Sequence, residues 1–267
     1  MCYWVSRYLL RRTHLLARST VLGMRFYFRT PDVMGRSIYK RGIREADLTH
    51  FLLDTLIPEL ALSEGDVILD VGANLGWNGV LFDRATPPGV HIYCFEPDPV
   101  NFEILSSNIA LNGCEKVTCE AIGASAQDGT ATLYVYPDKN TGKHSMVQNP
   151  KGAALEVPVR RLDSYLQEKG IAPLAVKLIK IDVEGYEPVA LKGMESILAA
   201  GPVVMSELVP RYMERGGLSM ADYLAFMGRF GYEPFLLDGP GLKEASHSAL
   251  AGITGNADLF WKREDVQ

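Results

Sequence analysis

At 267 residues, with 47% hydrophobic and 22% charged side chains, the chain has the composition of a globular protein. It is large enough to bury a core without disulfide or metal staples. A formal net charge of −5 excludes nucleic-acid binding through bulk charge. The four cysteines, Cys2, Cys94, Cys114 and Cys119, include no Cys-x-x-Cys pair and no zinc spacing, which reads as reduced thiols in the cytoplasm.

Residues 1–62 read as an extension ahead of the main domain, 63–267. From Met1 to Pro31 there is no Asp or Glu, while Arg7, Arg11, Arg12, Arg18, Arg25 and Arg29 alternate with Tyr3, Trp4, Tyr8, Leu9, Leu10, Leu15 and Leu16. No apolar run reaches membrane-spanning length, and no signal-peptide core is present. The segment reads first as a capping helix with its arginines toward solvent. Its second reading is a basic amphipathic helix lying on an anionic membrane, a peripheral contact through residues 1–29. Residues 25–28 and 37–39 are expected as short strands and 46–60 as a helix, so the extension is read as mainly helical.

A regular alternation then begins. Strands are expected at 67–71, 91–95 and 117–122, with a helix over 99–111 carrying Phe102, Leu105 and Ile109 at helical spacing. The rhythm breaks between 123 and 173. There, 130–136 and 155–159 read as extended, 138–152 as a polar loop, and 163–169 as a helix capped by Asp163. Strand four is expected at 176–183, followed by a helix over 187–199. Strand five follows at 202–205, then a helix at 220–230, then a final strand pair at 235–237 and 259–261. Strands separated by helices imply a doubly wound, mostly parallel sheet with ligands at the carboxyl ends of its strands.

The chemistry collects at those ends. Asp70-Val71-Gly72-Ala73-Asn74-Leu75-Gly76 joins the first strand to its helix. Asn74 and Trp77 stand where a dinucleotide loop needs its second and third glycines, so a pyrophosphate would not fit. An acid at the strand end suits a ligand with a positive centre and hydroxyls, as S-adenosylmethionine has. Glu96, at the end of strand two, is placed to accept from ribose hydroxyls, and Asp98 can cap the next helix. Asp182 and Glu184, two apart at the end of strand four, would share one face in extended geometry. One is suited to deprotonating an acceptor, the other to holding the acceptor or an ammonium. Glu187 reads as a helix-terminal acid. Lys180 is expected to pair with an acid or to point away, and carries no assigned chemistry.

These motifs, in order and spacing, resemble the FkbM family of S-adenosylmethionine-dependent methyltransferases. The resemblance rests on Asp70–Gly76, Phe95-Glu96-Pro97-Asp98, Asn108 with Leu111-Asn112, Leu162-Asp163, Lys180-Ile181-Asp182-Val183-Glu184-Gly185 and Leu191-Lys192-Gly193. It covers about residues 62–210. It implies a class I methyltransferase fold: a Rossmann-like, doubly wound sheet of seven strands with the last antiparallel. It implies methyl transfer to an oxygen of a small molecule or glycan. Asp70, Gly72, Asn74, Gly76, Glu96 and Asp182 become cofactor contacts, and Asp182, Glu184 and His144 catalytic candidates. Ser145 and Glu207 become substrate contacts, with no metal required and no nucleic-acid partner expected. The alternatives are a nicotinamide oxidoreductase, which Asn74 and Trp77 disfavour, and a non-catalytic module that binds the cofactor. The alternative for His144 is a solvated loop residue, and for Glu207 a salt bridge to Arg211 or Arg215.

Overall fold

In the computed structural model of the chain, residues 13–135, 144–148 and 152–263 are described. The run Val67-Ile68-Leu69-Asp70-Val71 is buried throughout, as a strand covered on both faces must be. Among the described residues the strands are β1 His14–Arg18, β2 Arg25–Arg29, β3 Val67–Val71, β4 His91–Phe95, β5 Val117–Glu120, β6 Gly123–Ala124 and β7 Gly129–Val135. They continue with β8 Ala153–Arg160, β9 Val176–Ile181, β10 Val203–Leu208, β11 Tyr232–Asp238, β12 Gly241–Glu244 and β13 Ala257–Arg263.

The main sheet runs β12-β11-β13-β10-β9-β3-β4-β5. From β10 to β5 all neighbours are parallel, and β13 lies antiparallel between β10 and β11. The antiparallel last strand is as expected. The sheet has eight strands rather than seven, because the chain turns back after Asp238 and adds β12 at the edge. Alternate residues of the central strands enter separate cores. Ile68, Ile92 and Leu178 pack on one face; Leu69, Val71, Ile179 and Trp261 pack on the other. The segments expected as extended between 123 and 173 form their own sheet, β6-β8-β7.

The extension departs most from expectation. Residues 25–28 form a strand as read, within β2; it pairs with β1 in an antiparallel hairpin where a helix was expected before it, and residues 37–39 lie inside a helix, Val33–Arg41. Asp32 caps that helix by accepting from the Gly35 amide, and Gly42 closes it in left-handed geometry. The local alternation of Ser37-Ile38-Tyr39 was too short to separate strand from helix. Residues 46–59 are helical as read, with a π turn at Leu52–Leu56. Residues 1–12, which carry the start of the basic segment, lie outside the described residues, and so does Cys2.

Two asparagines bind the hairpin to the main domain. Tyr27 N donates to Asn108 Oδ1 (2.7 Å), and Asn108 Nδ2 donates back to Tyr27 O (3.0 Å). Arg25 N and O make the same exchange with Asn112, at 2.9 and 2.7 Å. A four-residue helical step rises about 6 Å and a two-residue strand step about 6.6 Å. The two side chains on helix Pro99–Asn112 therefore act as a surrogate strand for β2. Phe26 adds a ring contact with Trp77, 5.2 Å between centroids. Among the described residues, no helix is long and apolar enough to cross a membrane.

Candidate active site

Strand order reverses between β3 and β9, which leaves a crevice above their carboxyl ends. A cavity of about 410 Å³ fills it, within the size range of small-molecule sites. Gly72 and Asn74 line its base, with Glu96, Pro97 and Asn101 on one side and Asp182, Val183, Glu184, Glu207 and Asn256 on the other. Leu133 and His144 to Met146 add an edge. The far wall comes from the extension: Val33, Met34, Ser37, Arg41, Ile43 and Arg44.

The turn after β3 is shaped by close approach. Gly72 has φ +76°, and a Cβ there would sit 2.0 Å from Asp182 O. Asn74 is also left-handed at φ +50°, a conformation asparagine tolerates. Its backbone N–H donates to Glu96 Oε2 (2.8 Å), while Asp98 N–H donates to Glu96 Oε1 (3.0 Å). Burial pushes the Glu96 carboxyl up to about 7, although both amides favour its charged form. Asp98 caps helix Pro99–Asn112 as expected, accepting from Val100 N and Asn101 N.

Two expected cofactor contacts lie outside the cavity lining. Asp70 is fully buried beneath the turn, its Oδ1 3.2 Å from Lys180 Nζ. Gly76 starts helix Trp77–Ala85 in left-handed geometry, and a Cβ there would meet Leu105 Cδ1 at 2.8 Å. Its smallness serves helix packing. Lys180, given no role by the sequence, is the tie between layers. Its Nζ donates to Gly72 O (3.1 Å) and stands 3.8 Å from Asp182 Oδ2. Burial disfavours its ammonium, but Asp70 and Asp182 outweigh that and raise its pKa.

The acid cluster forms differently from the extended pairing read in the sequence. β9 ends at Ile181, and Glu184 takes φ +53°. Glu187 braces this turn: its Oε1 accepts from Val183 N (2.9 Å) and Gly185 N (3.2 Å). Burial pushes Glu187 up to about 7. Carboxylate oxygens of Asp182, Glu184 and Glu207 come within 4.8 Å of one another, a spacing a divalent cation could occupy. The cationic partners on hand are side chains: Lys180 below, and Arg44, whose Nη2 lies 3.7 Å from Asp182 Oδ2. Arg44 was missed in the sequence because no motif marks it.

Glu207 accepts from Asn256 Nδ2 (2.9 Å). Burial, with Asp182 and Glu184 close by, pushes it up to about 9. The three neighbouring carboxyls therefore titrate together, and the cluster favours retaining a proton. Neither Arg211 nor Arg215 pairs with Glu207; both guanidinium groups lie over the Tyr212 ring. His144 lines the cavity with Nδ1 3.4 Å from Asp98 Oδ2, and its buried Nε2 has no partner among the described residues. Ser145 Oγ donates to Glu184 O (2.8 Å) and accepts from Val147 N (3.0 Å), which ties the His144 loop to the acid turn. Asp163, expected to cap its own helix, instead accepts from Ser196 N and Ile197 N, at the head of helix Glu195–Ala200.

Residues 70–234 match the family model described as Methyltransferase FkbM domain. The chain is 32% identical over 163 residues to the 31-O-demethyl-FK506 methyltransferase FkbM of Streptomyces tacrolimicus, which takes in 50% of this chain and 61% of that protein. It is 26% identical over 198 residues to the hexuronic acid methyltransferase AglP of Haloferax volcanii, covering 74% of this chain and 75% of that one. Among solved structures, methyltransferase FkbM from Methylobacillus flagellatus superposes with a TM-score of 0.48 at 18% identity, over 79% of this chain and 47% of that one. The chain thus spans about three fifths of the length of the FkbM relative that it matches.

Proposed function

The chain belongs to the FkbM methyltransferase family, and from that premise we propose that it methylates a hydroxyl of a small molecule or glycan, with S-adenosylmethionine as donor. The observation that carries this reading is the single cavity into which Glu96 of the β4 end and Asp182 of the β9 end both open, with the Gly72 turn between them. The fit to such a donor rests on charge and on orphaned polarity. An acidic crevice suits its sulfonium and ammonium, and His144, whose buried Nε2 has no partner among the described residues, lines the same cavity. When bound, the donor supplies a methyl group on a good leaving group.

The protein's share of the work is then positional. The backbone of Gly72 and Asn74 would cradle the amino-acid portion, and Glu96 would accept from the ribose hydroxyls. Orientation of this kind can contribute about 7–11 kcal/mol. Asp182, held between Lys180 and Arg44, is the group placed to take the acceptor's proton, an effect of about 10²–10⁴-fold. A proton retained by this cluster would let Glu207 donate a hydrogen bond to the acceptor while Asp182 takes the acceptor's proton. The domain division at about residue 62 is part of the proposal, with one amendment: the extension contributes a wall of the site.

Calorimetric titration with S-adenosylhomocysteine and with NADH tests the ligand class; binding of NADH in preference would refute it. Labelled-methyl transfer into small-molecule and glycan fractions tests the reaction. Asp182→Asn should retain S-adenosylhomocysteine binding and lose transfer by about 10²-fold or more. Unchanged transfer would remove Asp182 as the base.

A further inference from the structure

The outer face of the β1–β2 hairpin has no part in the crevice. Its inner residues, Leu15, Ala17, Phe26 and Phe28, are buried in the core. Its outer residues form facing pairs: Leu16 opposite Tyr27, Arg18 opposite Arg25, and His14 opposite Arg29. Leu16 is 43% exposed and Tyr27 40%, and Leu22 in the connecting turn is 48% exposed. These are three of the five exposed large hydrophobic residues among those described. The side chains of Arg18, Arg25 and Arg29 form no ion pair with a carboxylate among the described residues, and Arg25 Nη2 donates to Leu111 O (2.6 Å) at the end of helix Pro99–Asn112. Arginines directly opposite one another, as Arg18 and Arg25 are, destabilise an isolated hairpin. Here the asparagine clasp from helix Pro99–Asn112 holds β2, and β2 in turn pairs with β1. The result is a rigid, basic, apolar-centred platform on a protein of net charge −5.

We propose that this hairpin face docks the protein on an anionic lipid bilayer. Charge complementarity selects an anionic partner, since no Asp or Glu occurs before Asp32. The chemistry between the arginines selects lipid. Leu16 and Tyr27 between flanking arginines, with Leu22 exposed at the turn beyond them, match the apolar-to-polar boundary of a bilayer, where aliphatic groups insert and guanidinium groups meet headgroup phosphates. A nucleic-acid face would more readily present stacking aromatics and amides than exposed leucines. The platform is also joined to the reaction site. Gly35, in the helix whose Val33, Met34, Ser37 and Arg41 wall the cavity, packs on Phe28 of the hairpin's inner face. Docking would therefore seat the wall of the crevice beside the membrane.

The test is co-flotation of the full chain with vesicles of phosphatidylcholine alone and of phosphatidylcholine mixed with phosphatidylserine. Binding should require the anionic lipid. It should weaken sharply from about 0.1 M to about 1 M salt, where the screening length falls from about 10 to about 3 Å. Each arginine at such a surface accounts for about a fivefold change in partition. The pair Arg18→Gln and Arg29→Gln should therefore lower it about 25-fold, and Leu16→Ser with Leu22→Ser should also lower it. Reversal of Arg7, Arg11 and Arg12 serves as the comparison, because those residues lie upstream of the hairpin. Calorimetry with S-adenosylhomocysteine should be unaltered in the hairpin variants, which separates docking from folding and from the proposed reaction. Equal flotation on both vesicle types would overturn the proposal. So would unaltered flotation of the hairpin variants, or retention by duplex nucleic acid without any on vesicles.

Discussion

Acidification should loosen the crevice's hold on S-adenosylhomocysteine through Glu96. In the free protein that carboxyl sits at about 7, because it is buried and only partly compensated by the Asn74 and Asp98 amides. Of the titratable groups beside it, Asp98 opposes its ionisation and His144 favours it. Ribose hydroxyls donate best to the carboxylate, so binding favours the ionised form. At about pH 6 roughly a tenth of Glu96 is ionised, and at about pH 8 roughly nine tenths. The dissociation constant should therefore fall about tenfold over that interval, equivalent to about 1.4 kcal/mol. Titrations at pH 6 in two buffers of different ionisation heat should show release of close to one proton on binding, and almost none at about pH 8. Glu96→Gln should flatten the profile. It offers one carbonyl oxygen to two amides and should bind about 10–100-fold more weakly at pH 8, from lost hydrogen bonds worth about 1.5–3 kcal/mol. An affinity independent of pH in the wild type, with no proton released, would refute the assignment of Glu96 to the ribose.

Stability should respond to pH with the opposite sign at Glu187. Its folded value of about 7 lies above the unfolded one of about 4.5, so stability is fullest below pH 4.5 and is lost as pH rises through 7, by up to about 3 kcal/mol. Urea unfolding of Glu187→Gln should show a smaller loss over the same range; an identical slope would exclude this residue as its source. Gly72→Ala should cost about 3 kcal/mol or more in the same assay, since its Cβ would overlap Asp182 O, and a cost under about 0.5 kcal/mol would show that the turn can move. Arg44→Ala should lower methyl transfer at least tenfold while S-adenosylhomocysteine still binds, with partial rescue by Arg44→Lys. Equal rates in Arg44→Ala and the wild type would detach the extension from the chemistry.

The parts of the fold legible in the sequence were those governed by local pattern. β3, β4 and β9 are mostly apolar runs with an acid at or just past their ends, so their order could be read, although β9 stops at Ile181, two residues short of expectation. Glu96, Asn74, Gly72, Asp182 and Glu207 could be placed at one crevice because strand ends in a doubly wound sheet converge. The missing parts depend on contacts distant in sequence. Asp70 looked like a ligand contact because its partner, Lys180, is 110 positions away and nothing local announces the pair. Gly76 looked like a ligand glycine because the residue it accommodates, Leu105, belongs to another helix. β2 was legible as a strand, but its pairing with β1 was hidden by a segment whose arginines and leucines fit a helix equally well. The hairpin's β2 edge is completed by Asn108 and Asn112, more than eighty residues downstream.

The buried lysine explains why these parts belong to one site. Lys180 touches Asp70 beneath the β3 strand, the carbonyl of Gly72 in the donor turn, and Asp182 in the acid cluster. An isolated ammonium in that position would be costly, and so would an isolated Asp70. Each is tolerable only with the other. Once the pair forms, Lys180 has a donor left for Gly72 O and a charge left for Asp182, so the geometry of the donor turn and of the proposed base is set by the same atom. Arg44, from the extension beyond helix Val33–Arg41, reaches the same Asp182 oxygen as Lys180. Two cations on one oxygen restrain the carboxylate, and a proton acceptor must be fixed in place to meet its substrate.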